Sequence, residues 1–385
     1  MDSNIFFKSF NNKVRYSRKK KLIKILKKIN RQEIPEFIKS YKKNYVYNYK
    51  KNIINKYKAI NNIKIIGMGG SSLGIKALYN FLISKVKKKV IFFENLSLQS
   101  NKTKSLNIII SKSGNTLETI SNFSANYNKN NKNIFITERK NNYLRHLAGK
   151  LKSDIVEHKN FIGGRFSVLS EVGMLPAELM GLKESKFKQF NNLIIKKEFL
   201  NNLTHNVLST FELIKKKKFN SVILNYDTKS DDLFKWYQQL VSESLGKNSK
   251  GILPVISTMP KDNHSILQLY LDGLKCNFYT FFIVKEKKST KLNPKLLFKD
   301  FNFLKNKNIY EILNAQRIAT ENIFKKKKIP FRSFVIKKRN EETLGKLFCF
   351  FTLEVILLSH LLKVDPLNQP HVELVKKETF NILKK

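Results

Sequence analysis

A single carboxylate, Glu243, ends the amphipathic run Trp236-Tyr237-Gln238-Gln239-Leu240-Val241-Ser242-Glu243, shortly before a Gly246-Lys247 break. Alone it says little. The same chain carries a glycine-rich turn, Gly67-Met68-Gly69-Gly70-Ser71-Ser72, and a hydroxyl-rich turn, Ser111-Lys112-Ser113-Gly114-Asn115-Thr116. It also carries a Gly163-Gly164-Arg165 turn, His264 and Lys376. Together these offer an anion cradle, a base, a cation and two groups able to handle protons. That set suits moving a proton beside a carbonyl in a phosphorylated substrate.

Each element also has a plainer reading. Glycines let a backbone approach a ligand, and the free N–H groups of a helix start favour an anion. The Gly67–Ser72 spacing matches neither a dinucleotide-binding fingerprint nor a Walker loop, so a plain tight turn fits equally. In the Ser111–Thr116 turn, short polar side chains, one cation and a helix start make a phosphate cradle. An ordinary N-cap needs no Ser-Lys-Ser cluster, and the phosphate reading is favoured there. Arg165, aimed from a glycine hinge, suits a developing oxyanion or an ordinary ion pair. His264 precedes a helix with Asp262 close by, which fits an acid/base group or a capping histidine. Lys376 is one lysine among many.

The elements that must position these groups alternate regularly. Apolar strands are expected at Ile63–Ile66, Val90–Phe93, Leu106–Ile110 and Asn133–Thr137, with helical patterns at 72–83, 117–124 and 143–151. The pattern lapses over 153–181. It resumes with strands at Ser221–Asn225, Gly251–Ile256 and Phe278–Val284, and helices ending at Glu243 and spanning 265–271. The tail reads as a helix over 310–324, a strand over 331–336, an apolar helix over 347–362 and a terminal helix with Lys376. Alternating strands and helices imply parallel sheets covered on both faces. The fold class is therefore α/β, with two doubly wound, mostly parallel units and a C-terminal helical arm. The expected divisions are a basic helical segment over 1–55, a first unit over 56–185 with the anion-binding turns, a second over 186–345 with Glu243 and His264, and the arm over 346–385. The two turns would lie at the carboxyl ends of strands, where open α/β sheets take ligands.

Composition excludes several classes. The chain has 385 residues, 42% of them apolar, and 30 phenylalanines, which argues for a globular core and against disorder. Its two cysteines, Cys276 and Cys349, offer no metal-ligand spacing and suit a reducing, cytoplasmic compartment. No metal or cofactor is expected. Residues 1–21 hold no uninterrupted apolar stretch that would read as a signal peptide. The 347–362 run falls short of the ~20 residues a membrane span needs and contains Glu354 and His360; a buried core helix is expected, and no membrane partner. The net charge of +45 would ordinarily suggest nucleic acid. However, the lysines are scattered in short runs along the whole chain, with no nucleic-acid-binding signature, so nucleic acid is not expected as the main partner. A field this positive should still draw in phosphorylated metabolites.

Taken in order, the motifs resemble those of the phosphoglucose isomerase family. Gly163-Gly164-Arg165-Phe166-Ser167-Val168-Leu169-Ser170 is similar to one family signature, and Asn368-Gln369-Pro370-His371-Val372-Glu373-Leu374-Val375-Lys376 to another. Gln238-Gln239 with Glu243-Ser244 and Gly246-Lys247, and His264 to Gly273, complete a match over roughly residues 63–380. The resemblance implies two sugar-isomerase (SIS, flavodoxin-like) domains and a C-terminal arm. It also implies interconversion of glucose 6-phosphate and fructose 6-phosphate through a cis-enediol(ate), without a cofactor. Glu243 would move the proton, Arg165 would stabilise the intermediate, and His264 and Lys376 would assist ring opening. Ser111, Lys112, Ser113, Asn115 and Thr116 would hold the phosphate, with Gly70, Ser71 and Gln239 as further substrate contacts. The resemblance implies a homodimer in which His264 serves the neighbouring subunit's site. His371 stands where the family usually has a small residue, residues 1–60 match nothing recognisable, and the chain is short for the family. A relaxed isomerase that also takes mannose 6-phosphate, and a non-catalytic sugar-phosphate sensor, are the rival readings.

Overall fold

A computed structural model describes residues 4–11, 16–31, 35–96, 103–286 and 288–385. Strands β1 (Ile5–Lys8), β2 (Asn62–Gly67), β3 (Lys89–Phe93), β4 (Leu106–Ile110) and β5 (Lys132–Thr137) are followed by β6 (Asp154–Glu157), β7 (Asn220–Asn225), β8 (Leu253–Thr258), β9 (Asn277–Val284) and β10 (Phe331–Ile336). They form two five-stranded sheets, ordered β3-β2-β4-β5-β6 and β1-β10-β9-β7-β8. The first is wholly parallel. In the second only β1 runs antiparallel, against β10.

Side chains alternate along each strand between two apolar layers. In β4, Ile108 and Ile110 join the main core while Ile109 joins a separate cluster with Phe123, Phe135 and Leu144. In β9, Phe278 and Phe282 face the main core, and Tyr279, Phe281 and Ile283 face a third cluster. Period-two burial on both faces is what a sheet covered by helices on each side requires. The doubly wound α/β expectation holds.

The main core lies between the sheets. There the helix Leu73–Phe81, which follows β2, packs against the helix Asp231–Leu245, which follows β7. Lys76 pairs with Glu94 of its own unit at 2.6 Å, and its amine lies 3.7 Å from Asp232 on the other helix, at the rim of this contact. The apolar helix Glu341–Leu362 runs through the same core. It is long and apolar enough to cross a membrane, yet 89% of its most apolar window is buried. Its deepest carboxylate, Glu354, is paired with Arg332 and receives hydrogen bonds from Asn206 (2.5 Å) and Tyr237 (3.1 Å). A buried charge needs such partners. The core-helix expectation holds.

Two strands are not among those expected. β6 is a four-residue edge strand with a charged residue at each end, which hides its alternation. β1 lies in the lysine- and asparagine-rich start and is held at the sheet edge by register with β10 (Ile5 against Ile336). The segment expected to be helical over 1–55 therefore contributes a strand to the second sheet. Its helix Tyr16–Asn30 packs on the helix Lys197–Lys215, with Arg18 2.5 Å from Glu212. Residues 1–3, 12–15 and 32–34 of that segment lie outside the described residues.

Candidate active site

β2 and β4 are neighbours, so the turns at their carboxyl ends lie side by side. In the first, Gly69 adopts a positive φ of 54°. A Cβ at Gly70 would fall 2.2 Å from the Gly164 carbonyl carbon, so the two glycine turns touch backbone to backbone. Ser167 locks this contact by donating to the Gly70 (3.2 Å) and Gly164 (2.7 Å) carbonyls. Gly70 is thus required by close packing, and that packing delivers Arg165 to the carboxyl ends of the first sheet.

The loop after β4 is stitched by its own hydroxyls. Ser111 Oγ and Thr116 Oγ1 lie 2.7 Å apart, and Ser111 Oγ accepts from the Gly114 N–H at 3.1 Å. Thr116 is the N-cap of the helix Leu117–Ala125 but makes no side-chain cap bond. First-turn amides left without a side-chain partner are open to an anion. The structure is not that of the plain N-cap reading. Ser113 is exposed. Asn115 accepts from the Tyr143 N–H (3.0 Å), and Lys112 donates to the Asn160 carbonyl (2.7 Å) with Glu138 3.5 Å away. Both side chains therefore have structural partners. A cleft of about 600 Å³ separates this loop from the terminal helix Pro370–Leu383, with Ser113, Thr116 and Lys376 among its walls.

Glu243 sits in the last turn of the helix Asp231–Leu245 with its side chain about a quarter exposed (27%). Both carboxylate oxygens are engaged: Arg165 Nη1 donates to Oε2 at 2.7 Å and Gln239 Nε2 to Oε1 at 2.9 Å. Arg165 is buried (2% exposed). It also donates to the Pro366 (2.6 Å) and Asn368 (3.2 Å) carbonyls and to Gln369 Oε1. Burial pulls its pKa below the usual value while Glu243 pulls it back, and a guanidinium so placed stays charged. Gln239 rests over Gly69, where a Cβ would meet its amide nitrogen at 3.0 Å. A carboxylate and a cation are thus held together at the meeting of the two sheets, facing the glycine turn.

His264 and Lys376 are not drawn into this knot. His264 lies exposed in the short turn Lys261–His264 after β8, and among the described residues no hydrogen bond or ion pair joins it to Glu243 or Arg165. Asp262 does not serve it; that carboxylate accepts from Ser257 Oγ and the Thr258 N–H, each at 2.8 Å. Lys376 is half exposed and paired with Glu373 at 2.7 Å. Two residues given no role from the sequence join the site: Gln369, through Arg165, and Lys247, whose amine reaches the Asp365 carbonyl. Gln369 lies within a quoted motif, but nothing local distinguished it. A cavity of about 940 Å³ lies elsewhere, around Tyr45, Tyr47 and Lys188. Burial pushes Lys188 down to about 7, and its amine is committed to the Ser40 and Leu169 carbonyls.

Comparison with known proteins gives a consistent result. A family model described as phosphoglucose isomerase matches residues 32–385, so the family pattern begins well before the first recognisable motif and takes in residues 32–60. A glucose-6-phosphate isomerase of Methanocaldococcus jannaschii is 34% identical, covering 85% of this chain and 86% of its own length. One from Mycoplasmopsis pulmonis is 32% identical, covering 85% and 84%. Among solved structures, a hypothetical protein from Thermus thermophilus superposes with a TM-score of 0.82 at 21% identity, covering 96% of both chains. A glucose-6-phosphate isomerase from Chlamydia trachomatis superposes at 0.68 with 19% identity, covering 86% of this chain and 72% of that one.

Proposed function

The chain belongs to the phosphoglucose isomerase family, and from that premise we propose that it interconverts D-glucose 6-phosphate and D-fructose 6-phosphate by proton transfer between C1 and C2. The observation that carries this reading is the Arg165–Glu243 pair, a base and an electrophile held 2.7 Å apart beside the glycine turn. Glu243 takes the proton from C2 of the open aldose and returns it to C1, while the O1 and O2 protons redistribute. Negative charge then passes from the carboxylate to the substrate oxygens, and Arg165 answers it there. The ester group sits on Ser111, Ser113, Thr116 and the uncapped amides of the following helix, with Lys112 adding charge. Gly70, Ser71 and Gln239 line the sugar. His264 and Lys376 move protons between the ring oxygen and O1 as the ring opens. No step calls for a cofactor. The two free cysteines, Cys276 and Cys349, suit the reducing cytoplasm.

Purified protein given fructose 6-phosphate, with a glucose-6-phosphate dehydrogenase and NADP as the coupled readout, should produce NADPH steadily. Absence of product at high enzyme concentration would reject the assignment.

The site is completed by a second copy of the chain. Among the described residues of one chain nothing ties His264 to Glu243, and two apolar surfaces stand open. The segment 293–303 buries none of its residues and exposes Leu296, Phe298 (82%) and Phe303. The terminal helix likewise has no buried residue and exposes Leu374, Val375 (70%) and Ile382. Patches of this kind mark interfaces. Co-refolding equal amounts of Glu243→Gln and His264→Ala proteins should then restore about a quarter of wild-type activity, because half the dimers are hybrids with one intact site. Recovery of nothing would place His264 in its own chain's site or outside the chemistry.

A further inference from the structure

Three cations grip the strap that leads to Lys376 and the helix end from which it starts. Lys250 Nζ donates to the Leu362 carbonyl at 3.0 Å, Lys247 Nζ to the Asp365 carbonyl, and Arg165 to the Pro366 and Asn368 carbonyls. This strap, residues 363–369, runs from a helix that is almost wholly buried to one without a buried residue. A helix that buries nothing is not placed by its own packing, so within one chain the strap places Lys376.

Lys247 differs from the other two in what it joins. Its amine also donates to the Ser244 carbonyl at 3.3 Å, in the same final turn as Glu243. The helix stops at Gly246, where a Cβ would fall 2.7 Å from the Ser242 carbonyl oxygen, and the chain can then bring Lys247 back along the helix end. One amine thus bridges the Glu243-bearing turn and the strap. Its ordinary basicity is lowered by burial and by Arg165, and partly restored by Asp365 and Glu243, so it shares the field of the paired groups.

We propose that Lys247 is a positioning residue for the isomerisation: it ties the helix end carrying Glu243 to the strap that carries Gln369 and leads to Lys376, and so sets their spacing across the bound sugar. This rests on the roles given above to Glu243 and Lys376. Methionine keeps the long apolar stem but removes every donor, whereas arginine keeps both charge and donors.

The test compares wild type, Lys247→Met and Lys247→Arg in the coupled fructose 6-phosphate assay, with melting temperatures and amide exchange of residues 362–376. Displacements near 1 Å can cost about 100-fold, so Lys247→Met should lower kcat by about 10- to 100-fold with KM within about threefold. Its strap should exchange faster at an unchanged melting temperature, and Lys247→Arg should recover most of the loss. Wild-type kcat in Lys247→Met, or a loss that follows the melting temperature and is not rescued by arginine, overturns the inference while leaving the isomerase reading intact. An inactive wild type overturns both.

Discussion

Replacing Glu243 with glutamine should lower kcat by about 10³-fold or more and leave KM for fructose 6-phosphate within about threefold. The substitution is close to isosteric, and its surroundings can accept it. The glutamine carbonyl can still take the Arg165 hydrogen bond now made at 2.7 Å. Its amide would then face Gln239 Nε2, donor against donor. Gln239 can resolve that clash by turning its own amide, because its Oε1 is buried and has no partner among the described residues. The fold and the ester-binding loop should therefore survive, and the loss should be chemical. Exchange of the C2 proton of glucose 6-phosphate with D2O, followed by NMR, checks this independently. It should fall in parallel with turnover. A variant that turns over at the wild-type rate, or one that loses turnover while still exchanging the C2 proton, would remove Glu243 from the role of base.

Much of the architecture could be read from local pattern, because a parallel sheet buried on both faces writes its strands as short apolar runs. Leu106–Ile110 and Phe331–Ile336 fall at the expected positions, since nothing polar interrupts them for long. β1 and β6 escaped for the opposite reason: each is an edge strand of four residues whose pairing is set by a neighbour and not by its own composition. In the same way, a family pattern extends into residues 32–60, where no local chemistry is visible. The site divides along the same line. Turns such as Gly67–Ser72 and Ser111–Thr116 announce themselves, because backbone constraints are local. The meeting of Arg165 with Glu243, 78 positions apart, and with Gln369, 204 positions away, depends on how the two sheets dock, which no short window of sequence contains. Lys112 and Asn115 illustrate the limit from the other side: residue type suits them to a phosphate, but in this structure both also hold neighbouring loops.

Arg165→Lys is the sharper test of how the two halves cooperate, and it should reduce kcat by about 10²- to 10³-fold, the usual cost of losing one donor to a developing oxyanion. Lysine preserves the charge, so a merely electrostatic role would survive the change. It cannot preserve the geometry. The guanidinium serves Glu243, Gln369 and two strap carbonyls at once, and its Nε–H is buried with no partner among the described residues. A single ammonium offers three donors from one point and cannot span those acceptors. When the proton leaves C2, negative charge shifts from the carboxylate to the substrate, and the planar fork can follow it without moving the strap. An ammonium drawn toward either must abandon the other. Stability should change little, because Gln369 and Asn368 are exposed and water can replace the lost donors. Guanidinium ion should partly restore an Arg165→Ala variant, and ammonium should not. If Arg165→Lys retained kcat within about threefold of wild type, charge alone would suffice, and the bridge between the glycine turn, the carboxylate and the strap would have no part in the chemistry.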